Sequence, residues 1–478
     1  MTDAIVVGAG PNGLAAAVTL ARAGLSVTVY ERNSTIGGGA RTAELTLPGF
    51  LHDVCSAVHP MALASAFFRE FELEKRITLL QPDVSYGHPL DGGRAGIAYP
   101  SLTDTVSALG RDGVAFGRLM GALVARADDL ASFTGANLVG WPRHPSIAAL
   151  FGIRALEQGS PLWNLRFRED IAPAMLSGVA AHAIQTMPSL ATAGAALSLG
   201  SYAHARGWPI PVGGSQAIVD ALAADLIAHG GTIVTDATVD RLDALPASSV
   251  VMLDTTPRAL AAMTDLPSGY ARRIGRFRYG NAASKVDFAL SGPVPWTNPE
   301  LHKAGTVHLG GTRAQIAAAE LSVKHGQHSD SPYVLVAQPS TFDGSRAPVG
   351  QHVLWAYSHV PRGSDVDQTE VITRQIERFA PGFRDLILAS SSRTATDMEQ
   401  YNPNYIGGDI AAGEATFGQL VRRPVVSTDP WRTPVKGVYL CSSSTPPGPG
   451  VHGLAGWLAA KSALRHEFSL GAPDLSLG

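Results

Sequence analysis

The chain has 478 residues, of which 45% are hydrophobic and 16% are charged, and its formal net charge is −3. This composition is typical of a folded protein with a large core, and it excludes an intrinsically disordered chain. Because acidic and basic residues are spread evenly and no long Lys/Arg run occurs, nothing in the sequence points to nucleic-acid binding.

Only two cysteines occur, Cys55 and Cys441, far apart and in apolar surroundings. Their spacing excludes a disulfide framework, a zinc site and the paired-cysteine centre of flavin disulfide reductases. We therefore expect two buried thiols and no metal. The sequence has neither a secretory signal nor an uncharged apolar stretch of about 18 residues, so we expect a soluble, cytoplasmic protein.

The first predicted elements are a strand, a glycine-rich turn, a helix and a second strand within residues 4–31. The turn and the end of the second strand carry a dinucleotide-binding fingerprint, formed by Gly8, Gly10, Pro11, Asn12, Gly13 and Glu31. Glycines in such a turn let backbone N–H groups approach a pyrophosphate, and the following helix adds partial positive charge. The acid accepts hydrogen bonds from ribose hydroxyls. The segment therefore predicts a dinucleotide site.

A second glycine-rich segment begins at Arg32, directly after the acid. We expect Gly37 and Gly38 to let the chain pass beside the pyrophosphate, where any side chain would collide. Arg41 is placed to compensate phosphate charge. A solvated surface arginine is the alternative interpretation.

The middle of the chain changes character several times. Residues 86–204 are Ala-rich with helical periodicity, and residues 276–424 mix β-rich runs with helices. Between them, residues 212–256 predict a helix near 215–229 and short strands, one of them at 239–242. This alternation predicts a nucleotide-binding domain built from separated segments, with a second domain inserted between them.

Residues 437–468 predict a strand, a Pro/Gly loop and a closing helix. The loop reads Gly-Pro-Gly-Val-His-Gly at 448–453. No acidic residue follows at the distance that a dinucleotide site needs, so we exclude an independent NAD(P) domain here.

These motifs together resemble the large flavoprotein superfamily that includes phytoene desaturases and amine oxidases. The likeness rests on the two glycine segments and on residues 207–215, 402–409, 422–424 and 448–453, and it is nearest to the desaturase-related branch. It implies one bound FAD. It also implies that Val239 contacts the adenine through its backbone, and that Ser443, Gly450 and Val451 belong to the carboxy-terminal flavin segment, where a helix dipole points at the flavin pyrimidine edge.

The predicted fold class is α/β, with a Rossmann-like FAD-binding domain of the glutathione-reductase/amine-oxidase type and an inserted α+β substrate domain. We assign residues 1–85, 205–275 and 425–470 to the FAD-binding domain. Residues 86–204 and 276–424 form the substrate domain.

Lys285 begins an apolar strand, and a lysine in a similar setting in amine oxidases holds a water at flavin N5. A lysine that snorkels from a strand end is the alternative. On resemblance alone, four further residues are candidates for the substrate cavity: His59, Tyr357, His359 and Tyr405. His452 is interpreted as a packed, structural histidine.

The resemblance implies hydride transfer between the flavin and a lipophilic substrate, in a C–C desaturation, saturation or isomerisation. It also implies an apolar small-molecule partner and a peripheral membrane contact through helices near 115–135 and 170–185. An amine or amino-acid oxidase is one alternative, although the chain lacks that group's cage tyrosine near Leu454 and its Gly-Glu pair near 442–443. A flavin-free binding protein of the prenyl-protein escort type is the other.

Overall fold

The computed structural model describes residues 2–477. Its strands, in chain order, are β1 (Ala4–Val7), β2 (Val27–Tyr30), β3 (Thr42–Glu44), β4 (Leu51–Asp53), β5 (Leu79–Leu80), β6 (Val84–Pro89), β7 (Ala95–Ala98), β8 (Ile210–Pro211), β9 (Thr232–Val234), β10 (Val250–Leu253), β11 (Ala282–Leu290), β12 (Ala304–Leu309), β13 (Val334–Ala337), β14 (His352–Val360), β15 (Ile387–Arg393) and β16 (Val438–Leu440).

The α-helices, in chain order, are α1 (Pro11–Arg22), α2 (Pro60–Ala64), α3 (Ala66–Glu70), α4 (Leu73–Arg76), α5 (Leu102–Ala108), α6 (Gly113–Val124), α7 (Ala127–Thr134), α8 (Pro145–Gln158), α9 (Ile171–Ala180), α10 (Leu190–Arg206), α11 (Gln216–Ala228), α12 (Pro257–Met263), α13 (Ser268–Ile274), α14 (Arg313–Lys324), α15 (Thr369–Glu377), α16 (Ala395–Tyr401), α17 (Phe417–Val421) and α18 (Leu454–Ala463).

Five strands form a parallel sheet in the order β16-β10-β1-β2-β9. The central strand β1 is buried on both faces, which explains why it is a continuous apolar run rather than an alternating one. Helices α1, α11 and α18 pack in the same hydrophobic core as β1 and β10. The predicted Rossmann-like fold class is therefore confirmed.

Helix α18 lies directly against α1, and this contact depends on Gly456. A Cβ at Gly456 would lie 1.8 Å from the carbonyl oxygen of Asn12. Because no side chain fits there, the glycine lets the last helix approach the first one closely. The carboxy-terminal segment is thereby brought back to the glycine turn.

Seven strands form a second, mixed sheet in the order β15-β11-β14-β13-β12-β6-β7. Its pairs are antiparallel except for β12 and β6. One face packs on Ile372 and Ile376 of α15. The opposite face carries a row of paired residues that crosses four strands, formed by Lys285, Tyr357, Leu335 and His308. This row faces the interior of the molecule.

The strand predicted at 239–242 is not formed, and this part of the prediction is wrong. The chain there is irregular and continues into a 3₁₀ turn at Leu242–Ala244. The parallel sheet ends at β9, and residues 239–242 do not extend it. Val239 instead packs beside Ile5 and Val7 of β1.

Helices do occur near both stretches predicted to touch a membrane. However, α9 is buried over residues 172–180, so its apolar residues are not available to a membrane in this fold. Helix α6 likewise turns Phe116 and Leu119 into the core of the helical insert. Within residues 2–477, no helix has both the length and the apolar character needed to cross a bilayer.

Candidate functional site

One cavity of about 590 Å³ extends from the glycine turn to the inner face of the mixed sheet. Its wall at the glycine turn includes Gly8, Gly10, Pro11, Asn12, Glu31, Arg32, Gly38, Arg41, Val239, Asp254, Ser443, Gly450 and Val451. Its far end includes His182, Ile184, Trp208, Leu335, Trp355 and Tyr357. The cavity therefore has a polar wall, of the type that binds nucleotides, and a mainly apolar wall.

The glycine turn leaves the start of α1 open to this cavity. Gly10 is the N-cap of the helix, and it has no side chain of its own that could cap it. Gly8 has a φ of +103°, and a Cβ at Gly13 would lie 2.1 Å from the carbonyl oxygen of Gly8. Gly13 is not in the wall itself, but it allows the tight turn. The helix start, with its partial positive charge, fits an anionic group such as a diphosphate.

Glu31 and Arg41 lie side by side at this end of the cavity. Glu31 Oε2 accepts a hydrogen bond from the backbone N–H of Ala9 at 3.0 Å. Arg41 Nη2 lies 3.3 Å from Glu31 Oε1 and donates to the carbonyl oxygen of Thr35 at 2.7 Å. Arg41 is only 6% exposed, so the surface interpretation of this residue does not hold.

The second glycine pair brings its segment against the first turn. Gly37 donates its backbone N–H to the carbonyl oxygen of Ala9 at 2.9 Å and has a φ of +123°. A Cβ at Gly38 would lie 3.2 Å from the Cα of Gly10. Gly38 is in the cavity wall, whereas Gly37 acts behind it through its backbone conformation. Arg32 reaches the wall from the exposed surface.

Asp254, which the sequence did not single out, lies directly beneath the glycine turn. Its Oδ2 accepts a hydrogen bond from the backbone N–H of Gly13 at 3.0 Å. Burial raises the pKa of this carboxyl to about 7, and the nearby Glu31 contributes in the same direction. The available signal was a polar residue at the carboxyl end of a buried parallel strand, where ligands bind in such sheets.

The carboxy-terminal segment completes this wall. Asn12 Nδ2 donates to Ser443 Oγ at 3.4 Å, while Asn12 Oδ1 is buried and has no partner within residues 2–477. Gly450 has a φ of +141°, and a Cβ there would lie 2.9 Å from Met61 Sδ. Val451 follows in the wall. The unpartnered amide oxygen and the close-packed backbone both fit a bound group between the two segments.

His452 holds the start of α18 and is structural, as interpreted from the sequence. It is fully buried, and its Nδ1 accepts the backbone N–H of Leu454 at 3.0 Å. Its Nε2 therefore donates to the carbonyl oxygen of Gly448 at 3.1 Å. Burial lowers the pKa of His452 to about 4, which keeps the ring neutral.

Three of the four predicted substrate residues line the cavity, namely His59, Tyr357 and Tyr405. His59 Nε2 lies 2.7 Å from Ser215 Oγ, and burial lowers its pKa to about 4. His359 is placed differently. It lies behind Tyr357, with its Nδ1 at 2.6 Å from Glu320 Oε1, and it is not part of the wall. The buried glutamate on α14 holds this histidine away from the cavity.

Lys285 is also absent from the cavity wall, in contrast to the expectation that it holds a water at flavin N5. Its Nζ donates to Asp287, and the pair is almost fully buried. Asp287 Oδ1 lies 3.5 Å from His52 Nδ1, and Lys285 Nζ lies 5.6 Å from the Trp355 ring. Burial lowers the pKa of Lys285 and raises that of Asp287. The lysine thus acts as one half of an internal ion pair beside the cavity.

Several wall residues were missed from the sequence. Trp355 shares one face of β14 with Tyr357, and the period-two alternation of a strand could have revealed it. Cys55 is in the wall and only half-buried, so the expectation of two buried thiols is wrong for this residue. His182 lies in the 3₁₀ turn after α9, and no local pattern marked it. Trp208 belongs to the segment 207–215 that carries the resemblance, but nothing in that segment marked it as a wall residue.

The comparisons with known proteins agree with this geometry. Residues 6–71 match the family described as NAD(P)-binding Rossmann-like domain. The chain is 28% identical to the pyridine nucleotide-disulfide oxidoreductase domain-containing protein 2 of Rattus norvegicus, over 97% of this chain and 93% of that protein. It is 32% identical to the 4,4'-diapolycopen-4-al dehydrogenase of Metabacillus indicus, over 25% of this chain and 25% of that protein.

Two solved structures illustrate the likeness of the fold. A triple mutant of putrescine oxidase matches with a TM-score of 0.61 and 18% identity, covering 97% of this chain and 98% of that chain. Cyclohexylamine oxidase from Brevibacterium oxydans matches with a TM-score of 0.56 and 17% identity, with the same coverage. The chain thus has the fold of these two amine oxidases, and its residues 6–71 match a Rossmann-like dinucleotide-binding domain.

Proposed function

We propose that this chain binds FAD along its first βαβ unit and transfers a hydride between flavin N5 and a lipophilic substrate. The reaction class is a C–C desaturation, saturation or isomerisation. The observation that carries this proposal is the single cavity that joins the glycine turn to an apolar wall on the mixed sheet. The partial match to a carotenoid-aldehyde dehydrogenase supports the desaturase-related assignment.

The residues at the glycine turn have the chemistry to hold the dinucleotide. Backbone N–H groups at the start of α1 meet the diphosphate, and Arg41 compensates its charge. Glu31 accepts hydrogen bonds from the ribose. The unpartnered Asn12 Oδ1 and the Ser443 hydroxyl would bind polar groups of the same cofactor.

When bound, FAD supplies the hydride acceptor or donor, and the chain supplies position and the exclusion of water. The apolar far wall, which includes Ile184, Leu335 and Trp355, keeps a lipophilic substrate in contact with protein rather than with solvent. Tyr357 also lines this wall.

An amine oxidase is the second candidate, and the structural neighbours favour it, since two amine oxidases have the same fold. The charges of the cavity argue for the first candidate. Within the described residues, its acidic and basic wall residues belong to the dinucleotide end: Glu31, Arg32, Arg41, Asp240 and Asp254. An ammonium substrate at the far end would have no carboxylate to pair with.

The test starts from the absorption spectrum of the purified protein. We expect bands of bound flavin, and anaerobic bleaching of these bands by a lipophilic alkene or polyene substrate. Glu31→Gln should weaken FAD binding, whereas the exposed Glu370→Gln should not.

Two outcomes would contradict the proposal. Hydrogen peroxide release with amines, without bleaching by lipophilic substrates, would assign the chain to the amine oxidases. A colourless protein that does not take up added FAD would favour a flavin-free binding protein of the escort type.

A further inference from the structure

A pair of histidines lies at the far end of the cavity, remote from the glycine turn. His182 is in the cavity wall, and its Nε2 lies 3.0 Å from His308 Nε2. The two rings are nearly perpendicular, with centroids 5.1 Å apart. His308 belongs to the inner face of the mixed sheet, and its ring also stacks on Tyr333. The cofactor and substrate contacts proposed above do not involve these two histidines.

Both rings are uncharged in this setting. Burial is the main cause that lowers the pKa of His182 to about 3, and it lowers that of His308 well below its ordinary value. Two neutral imidazoles joined through their Nε2 atoms share one proton, so one ring donates and the other accepts. His182 Nδ1 is then either a bare acceptor or a protonated donor. It has no partner among residues 2–477.

The surrounding chain is built to hold the pair in place. A Cβ at Gly178 of α9 would lie 2.7 Å from His308 Cβ and 2.8 Å from His88 Nδ1, so only a glycine lets the helix pass these rings. Two residues after His182, the buried Ile184 has a φ of +49° and a ψ of +49°. A β-branched residue rarely adopts this left-handed conformation, and its persistence requires strong support from the surrounding packing.

Apart from Tyr357, the rest of the far wall offers little other polarity. Trp208 donates its indole N–H to Thr306 Oγ1 at 2.8 Å and presents its ring to His182 at a centroid distance of 6.2 Å. Leu335 and Ile184 are apolar, and the charged wall residues lie at the dinucleotide end. His182 is thus a neutral hydrogen-bonding group within an apolar wall.

We propose that His182, held by His308, selects an uncharged and mainly apolar substrate that carries one hydrogen-bonding group, such as a hydroxyl or a carbonyl. This inference rests on the proposed function, because it names the substrate class of the same cavity. The pair can bind either a donor or an acceptor on the substrate. The position of the proton shared by the two Nε2 atoms decides whether His182 Nδ1 donates or accepts. A charged headgroup is selected against, because it would lose its hydration without gaining an opposite charge.

The test measures the binding of five probes of similar length to the FAD-loaded protein: 1-octanol, 2-octanone, 1-chloroheptane, octylammonium and octanoate. Dissociation constants come from flavin difference spectra, and shifts of the thermal midpoint provide a second readout. We expect 1-octanol and 2-octanone to bind about fivefold more tightly than 1-chloroheptane, the value of one neutral hydrogen bond. Octylammonium and octanoate should bind more weakly than 1-octanol and 2-octanone.

Three variants locate the preference. His182→Phe should remove the difference between 1-octanol and 1-chloroheptane, whereas His182→Gln, which keeps a donor and an acceptor, should retain part of it. His204→Phe is the matched control. That histidine is on α10, donates its Nδ1–H to the carbonyl oxygen of Tyr99 at 2.9 Å, and does not line the cavity. It should leave all five constants unchanged.

The inference is overturned if octylammonium binds the wild-type protein as tightly as 1-octanol, or if His182→Phe keeps the preference. Should His182→Phe fail to fold, the ranking of probes on the wild type and on His182→Gln decides. A protein that binds FAD but does not rank the probes in this order of affinity would refute the role of His182 and leave the proposed function standing. A protein that cannot bind FAD would refute the proposed function, while the thermal midpoints would still report on the probes.

Discussion

Asp254 Oδ2 and the backbone N–H of Gly13 are joined by a hydrogen bond of 3.0 Å, so a half-buried carboxyl lies beneath the turn proposed to bind a diphosphate. A Cβ at Gly10 would lie 2.7 Å from the same oxygen. The charge on this carboxyl therefore bears on the affinity for any anionic ligand at the turn.

The first prediction concerns the pH dependence of FAD binding. Because burial raises the pKa of Asp254 to about 7, the group is protonated below that pH and ionised above it. The ionised form repels a diphosphate, so the dissociation constant of FAD should rise as the pH increases from 6 to 8, by at most about tenfold per unit. A fluorescence titration with FAD at three pH values measures this.

Asp254→Asn should bind FAD with little pH dependence over the same range, because the amide keeps an acceptor for Gly13 but carries no charge. Asp240→Asn, at an exposed carboxyl in the same cavity wall, is the control and should keep the wild-type profile. An unchanged pH profile in Asp254→Asn would show that another group titrates.

The second prediction concerns the contact between α1 and α18. Gly456→Ala places a methyl group 1.8 Å from the carbonyl oxygen of Asn12, so the two helices must separate. We expect a loss of about 1–3 kcal/mol in the free energy of unfolding, together with weaker FAD binding. Gly152→Ala on α8, where the added methyl meets open space, should instead stabilise the protein by about 0.5–1 kcal/mol. Denaturant unfolding of both variants distinguishes these effects, and equal stabilities would contradict the close contact.

The third prediction separates two roles for Lys285. As one half of a buried pair with Asp287, it stabilises the fold, and Lys285→Met leaves an uncompensated carboxylate. We expect a loss of about 3–5 kcal/mol, with the rate of flavin reoxidation by oxygen changed little. Lys285→Met combined with Asp287→Asn should recover part of the stability. A large drop in reoxidation rate with unchanged stability would instead place the lysine at the flavin.

The fourth prediction concerns Arg423, which joins the carboxy-terminal flavin segment to residues 411–413. Its fully buried guanidinium donates to the carbonyl oxygens of Ser443 at 2.7 Å, Ala411 at 2.8 Å and Gly413 at 3.2 Å. A lysine cannot make these three bonds at once, because its single ammonium lacks the planar fork of arginine.

Arg423→Lys should therefore lower the free energy of unfolding by about 1–3 kcal/mol and weaken FAD binding. The adjacent Arg422 is exposed, so Arg422→Lys serves as the matched control and should change neither quantity. Thermal unfolding with and without FAD measures both effects. Equal midpoints for the two variants would contradict the assignment.

The parts of the fold that could be predicted are those determined by short, continuous stretches of sequence. The turn from Gly8 to Gly13 and the acid Glu31 belong to one βαβ unit, so their spacing alone reveals the site. By contrast, β6 pairs with β12 across more than 200 residues, and no local pattern encodes that partner. The same limit applies to Asp254, which reaches the turn only because β10 lies beside β1.

The substrate end shows how tertiary neighbours override a correct local pattern. Tyr357 and His359 alternate on one face of β14, so treating both as cavity residues was reasonable. The buried Glu320 on α14 holds the histidine behind the tyrosine. The role of His182 could not be predicted for a related reason, because its partner His308 belongs to a strand 126 residues away.

The position of β16 at the edge of the parallel sheet has a consequence for how the protein is made. This strand pairs with β10, which is flanked on its other side by β1, the first strand of the chain. During synthesis, this edge of β10 therefore stays unpaired while five strands of the mixed sheet, β11 to β15, are translated. A chain that is interrupted before β16 therefore leaves this edge of β10 unpaired, and an unpaired strand edge promotes aggregation.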